Sequence, residues 1–387
     1  NNPRYDFKVK PYANIEQIGL SFEGDLEINL ENNIIELITP STIIENSSLF
    51  AYQLIDGNKV KVDCDFELIG NKVSFKVGEY DKSKELIIDP LIYSSYYGSS
   101  GDDTPKRVKF IDEKNILLVG STTSTDFKTT PGSYDEEYAD RTDAFVTKIK
   151  VVNGQYIPVF TTLLGSLEFD EAIDFAITNE YLLITGVTES PDFPILKPIS
   201  SKYGGGKEIF ITSLSLDGSE LLKSSYYGGN GDDEVVEVYR DRNNYFLFAA
   251  HTTSNNIQTI AGPPNSNYKG GKDILMFTIL PSREAANMSA HIGGFLDDVP
   301  TDMFIDPSNE DIYLTGWTTS SKGTATNDFP TYPLKRFGVG GPYDETSNGG
   351  KDAFEMVLTK NAQSFIISGF LGGDGDDIGR GIYKDEN

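Results

Sequence analysis

An internal repeat limits what this chain can fold into more than any other feature of the sequence. A glycine-rich acidic segment recurs five times, with its aligned glycine at Gly98, Gly165, Gly228, Gly293 and Gly372. The intervals between these glycines are 67, 63, 65 and 79 residues. A Thr-x-Ser motif, as in VGSTTS at 119–124, and a run that starts with an acid, as in TDAFVTK at 142–148, recur in register. Such a period indicates a structural unit that packs against copies of itself.

Each repeat is predicted to contain four β-strands. In the first repeat the runs at about 105–111, 114–121, 143–149 and 157–164 are short and rich in Val, Ile, Phe and Thr. Turn residues separate them, and no 3.6-residue periodicity appears in the chain. Four antiparallel strands in roughly 65 residues predict a blade of a β-propeller. We therefore predict an all-β fold, with a propeller domain over 90–387 and blades at approximately 103–165, 170–228, 232–293 and 298–372.

The repeat also resembles a known family. The order SSYYGGNGDD at 224–233, then a Gly-x-Thr-x-Ser strand followed by DFP, then GGKD before the next strand resembles the SBBP-type β-propeller repeat of bacterial surface proteins. The N-terminal region contains YDFKVKPYANIEQIGLSFEG at 5–24, AYQLIDG at 51–57, VSFKVGEYD at 73–81 and LIIDPLIYSS at 86–95. Through these motifs residues 1–89 resemble the β-rich domain that commonly precedes these repeats in secreted proteins of Bacteroidota. The resemblance implies an extracellular or cell-surface location, export by type IX secretion, and contacts with secretion or outer-membrane components.

The first 89 residues are predicted to form a separate sandwich-like β domain. Eight runs, from 5–10 to 85–89, alternate in hydrophobicity or carry β-branched side chains, and short glycine turns separate them. One of these runs, 59–68, contains Cys64, which alternates with Val62 and Phe66 and is predicted to be a buried small residue. A single cysteine excludes an internal disulfide and a cysteine-based zinc site.

The propeller is expected to be incomplete within this sequence. The segment 91–97 matches a fourth strand and is predicted to close the ring, whereas 377–387 begins a partial blade, with 378–384 as its first strand. The second and third strands of that blade are missing, so the total number of blades stays open at five or more. We expect that the natural chain continues or that another chain completes the blade.

The direction of successive strands divides the connections between two ends of the blades. The links between blades and the loops between second and third strands emerge at one end, which is strongly acidic. The chain has 59 acidic and 33 basic residues and a net charge of −26, which argues against nucleic acid or an anionic membrane surface as a partner. No apolar run reaches the roughly 20 residues of a membrane span. The candidate partner-binding residues at this end are Trp317, His251, Asp328, Phe329, Tyr332, Arg336 and Tyr343.

The acid pairs of the recurring segments allow two interpretations. Because Ca²⁺ prefers carboxylate and carbonyl oxygens, the pairs are candidate calcium ligands: Asp102, Asp103, Asp232, Asp233, Asp297, Asp298, Asp376 and Asp377. Alternatively, one aspartate per blade caps a turn by accepting backbone N–H bonds. The spacing of a calcium-binding loop is absent, which favours capping. A second set of acids precedes the third strands and is predicted to form hydrogen bonds or ion pairs between blades: Asp143, Glu208, Asp273 and Asp352.

One position departs from the repeat in every blade. After the second-strand glycine the residue is Ser121, Val187, His251 or Trp317. The indole of Trp317, the only tryptophan, can stack on a sugar ring or pack between blades. His251 is predicted to be a hydrogen-bonded structural histidine.

These observations predict a non-enzymatic extracellular scaffold or adhesion protein that binds a surface protein or a glycan through its acidic loop face. No catalytic residue is assigned, because the carboxylates recur with the repeat and no nucleophile motif is present. No cofactor other than calcium is considered. Two alternatives stay open: a structural subunit of a surface assembly or filament, and a carbohydrate-active enzyme.

Overall fold

A computed structural model describes an all-β chain with two compact units, Asn1–Tyr97 and Gly98–Asn387. The structure describes residues 7–21, 27–31, 33–38, 43–46, 49–55, 58–70, 72–90, 97–112, 114–152, 155–264, 266–280, 285–321, 328–332 and 346–384. Within these residues the helical content is one 3-10 turn, Ile15–Gln17. None of the described segments forms a helix that is long and apolar enough to cross a membrane.

The first unit contains three small antiparallel sheets that share one core. Its strands are β1 Phe7–Val9, β2 Leu20–Ser21, β3 Glu27–Glu31, β4 Ile34–Ile38, β5 Ile43–Asn46, β6 Leu49–Ile55, β7 Asn58–Val62, β8 Cys64–Ile69, β9 Lys72–Val77 and β10 Leu86–Pro90. The sheets have the strand orders β1-β10-β6-β7, β2-β9-β8 and β3-β4-β5. Their shared core includes Val62, Phe66, Phe75 and Ile88.

Two details of the first unit differ from the sequence prediction. The predicted run 59–68 is two strands in two different sheets, because the chain passes from β7 to β8 at Asp63. The strand β5 was not among the predicted runs. Cys64 lies at this crossing and is half-buried, and burial raises the pKa of its thiol to about 12. The thiol is therefore protonated and unreactive at neutral pH.

The second unit contains four consecutive four-stranded antiparallel sheets, and in each sheet the strands lie side by side in sequence order. We call them the first to fourth sheets. Their strands are β11 Asp103–Phe110, β12 Asn115–Thr122, β13 Asp143–Val152 and β14 Gln155–Leu164; β15 Asp170–Ile177, β16 Tyr181–Thr188, β17 Glu208–Ser215 and β18 Leu221–Tyr227; β19 Asp233–Arg240, β20 Phe246–Thr252, β21 Asp273–Ile279 and β22 Ala286–Ile292; and β23 Asp298–Ile305, β24 Ile312–Thr318, β25 Asp352–Leu358 and β26 Phe365–Leu371.

Successive sheets pack against one another. One buried cluster joins side chains of the first and second sheets, a second joins the second and third, and a third joins the third and fourth. The first strands of neighbouring sheets are also bonded directly. The backbone N–H of Val238 donates to Asp174 Oδ2 at 3.0 Å, and that of Met303 donates to Glu237 Oε2 at 3.1 Å. Each contact lies beside a register shift in the first strand, which turns the acid toward the next sheet.

A small residue of the second strand lies opposite a large residue of the third strand in every sheet. The pairs are Gly120 and Phe145, Gly186 and Phe210, Ala250 and Leu275, and Gly316 and Phe354. A Cβ atom on Gly186 would collide with the carbonyl oxygen of Glu171 and lie 2.7 Å from the Phe210 ring. The glycine therefore makes room for the ring, and the smaller leucine of the third sheet permits an alanine.

Replacing Gly186 with alanine is expected to lower the free energy of unfolding by about 2 kcal/mol, because the extra methyl group overpacks the sheet. Combining it with Phe210→Leu reproduces the Ala250–Leu275 pair of the third sheet and should recover part of that loss. Denaturant unfolding of both single variants and the double variant measures the coupling. A double variant destabilised by the sum of the two single effects would contradict this packing argument.

The proposed ring closure falls partly outside the described residues, since these do not include 91–96. Residues 378–384 have no ladder partner among the described strands. Their contacts nevertheless follow the pattern of the other first strands, because the backbone N–H of Ile382 donates to Asp302 Oδ2 at 2.8 Å. Asp302 thus holds the next segment as Asp174 holds Val238.

Candidate functional site

The second aspartate of each acid pair lies at the start of a first strand and accepts several hydrogen bonds. In the third sheet, Asp233 Oδ2 accepts from the backbone N–H of Gly229 at 2.7 Å and from Ser254 Oγ at 2.8 Å, and Oδ1 accepts from the Thr252 hydroxyl. Asp233 is completely buried. Its carboxylate therefore fixes the turn that enters the strand to the end of the neighbouring strand.

The same arrangement explains the Thr-x-Ser motif. In the first and fourth sheets the threonine and serine hydroxyls both donate to the aspartate, and in the second sheet the serine does so at 2.9 Å. A backbone N–H four residues before the aspartate donates in each case: Ser99 to Asp103, Ser166 to Asp170, Gly294 to Asp298, and Gly373 to Asp377. Aspartate and motif therefore recur together because they bind each other.

The first aspartate of three of the pairs bonds to the preceding sheet. Each of these aspartates accepts one backbone N–H through Oδ1, at 3.0 Å: Asp232, Asp297 and Asp376. The donor is the lysine that stands just before the third strand of the preceding sheet. The lysines are Lys207, Lys272 and Lys351. Their carbonyl groups accept the N–H of Asp233, Asp298 and Asp377 in return. The two adjacent aspartates thus have different partners, and each stabilises a turn or a junction.

The acid that was predicted to precede each third strand is its first residue, and it lies against the capping aspartate that follows the same sheet, with a repeat glycine between them. A Cβ atom on Gly293 would lie 2.7 Å from Asp273 Oδ1 and 2.6 Å from Asp298 Oδ2. Only a residue without a side chain fits between two such carboxyl groups. We call these arrangements the junction pairs: Asp143 with Asp170, Glu208 with Asp233, Asp273 with Asp298, and Asp352 with Asp377.

Each third-strand acid also accepts a hydrogen bond from the backbone N–H of the residue four positions before it. The donors are Ala139, Gly204, Lys269 and Asn348, at 2.8 to 3.1 Å. The second oxygens of Asp143 and Asp273, Oδ1 in both, have no hydrogen-bond donor among the described residues. The predicted inter-blade contact of these acids is therefore a pairing of two carboxyl groups rather than an ion pair.

Burial changes the protonation of the junction pairs. It raises the pKa of Asp143 and Asp273 to about 7, and with the charge of Asp233 it raises the pKa of Glu208 to about 8. Burial also raises the pKa of the partners Asp170, Asp233 and Asp298 to about 6, although hydroxyl and backbone donors oppose the shift. Within these three pairs the third-strand acid has the higher pKa, so it is the first of the two to bind a proton as the pH falls.

The second aspartates of the pairs, which were predicted as calcium ligands, make the hydrogen bonds expected of residues that cap turns. The carboxylates of Asp103, Asp233 and Asp298 are already occupied by hydroxyl and backbone donors. The described part of the chain holds no group of three or more His, Cys, Asp or Glu side chains arranged to bind a metal ion. Calcium binding stays a prediction, for which Asp102, which is exposed, and the other first aspartates remain the accessible acids.

His251 lies in a small cluster of charged groups between the second and third sheets. It is the cross-strand partner of Glu234, which accepts from Lys207 Nζ at 3.0 Å and from Lys272 Nζ at 3.5 Å. Burial lowers the pKa of His251 to about 4, so its ring is neutral at pH 7. Its Nδ1 atom has no hydrogen-bond partner among the described residues.

Trp317 occupies the corresponding position in the fourth sheet and is half-buried. The Nζ atom of Lys351 lies 4.0 Å from the centroid of its ring, which is a cation–π contact. Its cross-strand neighbour is Val299, where the third sheet has Glu234. The side chain at this position therefore differs in chemical type from sheet to sheet, although the backbone pairing around it is the same.

The remaining partner-binding candidates separate into core, surface and undescribed residues. Phe329 is 2% exposed and packs on Phe354 and Phe370, with both pairs of ring centroids 5.3 Å apart. Its ring therefore fills the core of the fourth sheet. Asp328 beside it is half-buried, and Tyr332 is 46% exposed. Arg336 and Tyr343 lie outside the described residues.

A family model matches the beginning of the chain. Residues 1–91 match a family described as a domain of unknown function, DUF7948. No curated protein matches the chain. One solved structure, a structural-genomics protein of unknown function from Bacteroides thetaiotaomicron VPI-5482, is similar at 10% identity over 76% of this chain and 96% of its own. Its TM-score is 0.20, so the similarity carries no argument about fold or function.

Proposed function

We propose that residues 98–387 belong to a β-propeller of SBBP type and that the protein is a non-enzymatic extracellular scaffold. The sequence order of strands in each sheet, the clusters shared between successive sheets and the repeated junction contacts support this architecture. The N-terminal unit is proposed to be sandwich-like. Location at a bacterial cell surface and export by type IX secretion rest on the sequence resemblance.

One observation carries the binding function. At the junction end of the four sheets the same hydrogen bonds recur, yet the residue after the small residue of the second strand differs from sheet to sheet. Ser121, Val187 and His251 are buried at this position, whereas Trp317 is half-buried and its indole is accessible. An accessible aromatic side chain at the loop end of a rigid scaffold is typical of a binding site. The exposed acids beside it, including Asp102, Asp232 and Asp376, favour a partner with basic groups.

The full chain is expected to bind immobilised basic peptides or glycans on an array, and Trp317→Ala with Asp232→Asn should weaken that binding. Tyr12→Ala, an exposed aromatic of the other unit, is the control and should leave it unchanged. Binding that is insensitive to the double variant would contradict the proposed surface. Absence of binding together with concentration-dependent assembly in sedimentation velocity would instead support the structural-subunit alternative.

A further inference from the structure

A cavity of about 280 Å³ lies between the third and fourth sheets, at the end opposite the junction pairs. Its walls come from the turns between first and second strands of both sheets, from the turn between third and fourth strands of the fourth sheet, and from the last two strands of the third sheet. No part of the proposed recognition surface lines it. Ligand pockets in proteins begin at roughly 300 Å³, so the cavity has space for one small ring rather than for an extended chain.

The cavity arises from a departure from the repeat. At the junction between the second and third sheets, Arg240 Nη1 donates to the carbonyl of Ile177 at 2.9 Å and occupies the space between the sheets. Ile305 is the last residue of β23, as Arg240 is of β19. The isoleucine has no polar group that could make the corresponding bond to the third sheet, and its side chain lines the cavity.

The lining combines apolar surface with groups that bind hydroxyls. Leu247, Met288 and Ile312 form an aliphatic floor. The polar wall contains two tyrosines and four side-chain amides: Tyr239, Tyr245, Asn243, Asn287, Asn361 and Gln363. Amides donate and accept hydrogen bonds, and tyrosine rings pack against the C–H face of a pyranose.

The lining carries little net charge. Its charged side chains are Asp241, Glu310 and Lys360, two acids and one base, which sum to −1. Asp241 Oδ1 accepts the backbone N–H groups of Asn243 at 2.8 Å and Tyr245 at 2.7 Å, so this carboxylate is used by its own turn. A cavity with a small negative charge disfavours anions, and a carboxylate such as Glu310 can accept hydrogen bonds from the hydroxyls of an uncharged ligand.

Glu310 adds an independent observation. Its φ of 63° lies in the left-handed region, as does the φ of 65° of Asn244 at the same place in the preceding turn. Asparagine and glycine adopt this conformation readily, whereas glutamate does so at a cost. A strained residue that lines a cavity points to a role for its side chain there.

We propose that this cavity binds a single neutral sugar ring. The apolar floor and the tyrosine rings contact the C–H groups of the sugar, and the amides with Glu310 bind its hydroxyl groups. This site is separate from the recognition surface at the junction end, so either assignment can fail without the other.

Saturation-transfer NMR of the full chain with D-glucose, D-galactose, D-mannose and N-acetyl-D-glucosamine tests the site. At least one of these sugars should give a transfer signal. Ile305→Arg, which copies the arginine of the preceding junction, should abolish the signal, and Gln363→Ala at the exposed rim should weaken affinity by about three- to ten-fold. Glu310→Asn should raise the melting temperature while weakening binding. Phe295→Ala, an exposed side chain in the segment between the third and fourth sheets at the junction end, is the matched control.

Three results would overturn the proposal. The first is the absence of a transfer signal with all four sugars. The second is a signal that persists in a folded Ile305→Arg variant, or in Gln363→Ala at unchanged affinity if the arginine variant does not fold. The third is binding of D-gluconate or D-glucosamine in preference to the neutral sugars, which would show that charge selects the ligand.

Discussion

Replacing Asp233 with alanine is expected to lower the free energy of unfolding of the second unit by about 3 kcal/mol. The substitution leaves the Gly229 N–H and the hydroxyls of Thr252 and Ser254 without their acceptor at a fully buried place. Each unsatisfied buried donor costs roughly 1–3 kcal/mol, and the loss of repulsion with Glu208 offsets part of the total. Denaturant unfolding followed by the fluorescence of Trp317, the only tryptophan, reports on this unit.

The neighbouring residue supplies the control for this experiment. Asp232 is exposed, and its carboxylate accepts one N–H, from Lys207. Asp232→Ala should therefore cost about 1 kcal/mol or less. Equal losses for the two variants would contradict the division of roles within the pair. A melting temperature that rises with added Ca²⁺ and falls with EDTA would show that the acids bind a cation in addition to capping.

The repeat predicted the strands of the second unit well because local sequence determines them. In the first sheet the predicted run 143–149 begins where Asp143–Val152 begins, and 157–164 ends where Gln155–Leu164 ends. Strand ends coincide with residues that recur for a structural reason, such as Asp143. The prediction of a single run over 59–68 is wrong, because hydrophobic alternation continues across Asp63 although the chain changes sheets there.

The contacts between sheets were harder to predict. Thr-x-Ser and the aspartate before it recur in register, a signal from which their hydrogen bonds might have been inferred. The sequence indicated the junction pairs less clearly, since Glu208 and Asp233 are 25 residues apart and two acidic side chains normally repel each other. Nothing in the sequence indicated the cavity, because it depends on the hydrogen bond of Arg240 across one junction and the absence of a polar group on Ile305 at the next.

The free energy of unfolding of the second unit is expected to fall as the pH rises from about 4 to about 8. Six buried carboxyls of the junction pairs have pKa values raised to between about 6 and about 8. An unfolded chain has carboxyl pKa values near 4, so the folded chain binds more protons between these limits. The stabilisation is complete below pH 4 and is lost as the pH passes through the folded values.

Nearby charged groups also shift the pKa values of these pairs. Asp135 and Asp140 raise the pKa of Asp143 further, whereas Lys269 opposes the shift at Asp273. Exposed acids with lowered pKa values act at lower pH. For example, hydrogen bonds from Ser215 and Ser219 lower the pKa of Asp217 to about 2, so its contribution is lost only below pH 4. Burial lowers the pKa values of His251 and His291 to about 4, so these two groups oppose the trend between about pH 4 and pH 6.5. The window from about pH 6.5 to pH 8 therefore reports on the buried carboxyls, and added salt separates them from general surface repulsion.

Glu208→Gln should remove one of the six buried carboxyl groups that give the folded chain its additional protons. The amide oxygen can still accept the Gly204 N–H, and the amide is uncharged, as the protonated acid is, so it does not repel Asp233. The variant should therefore resemble the unsubstituted chain at pH 5 and be more stable at pH 8, where one unit of pKa shift corresponds to about 1.4 kcal/mol. Asp217→Asn, in an exposed turn, should leave the slope between pH 5 and pH 8 unchanged. If Glu208→Gln were less stable at pH 8 than the unsubstituted chain, the ionised carboxylate would be the stabilising form and the junction would depend on charge rather than on a proton.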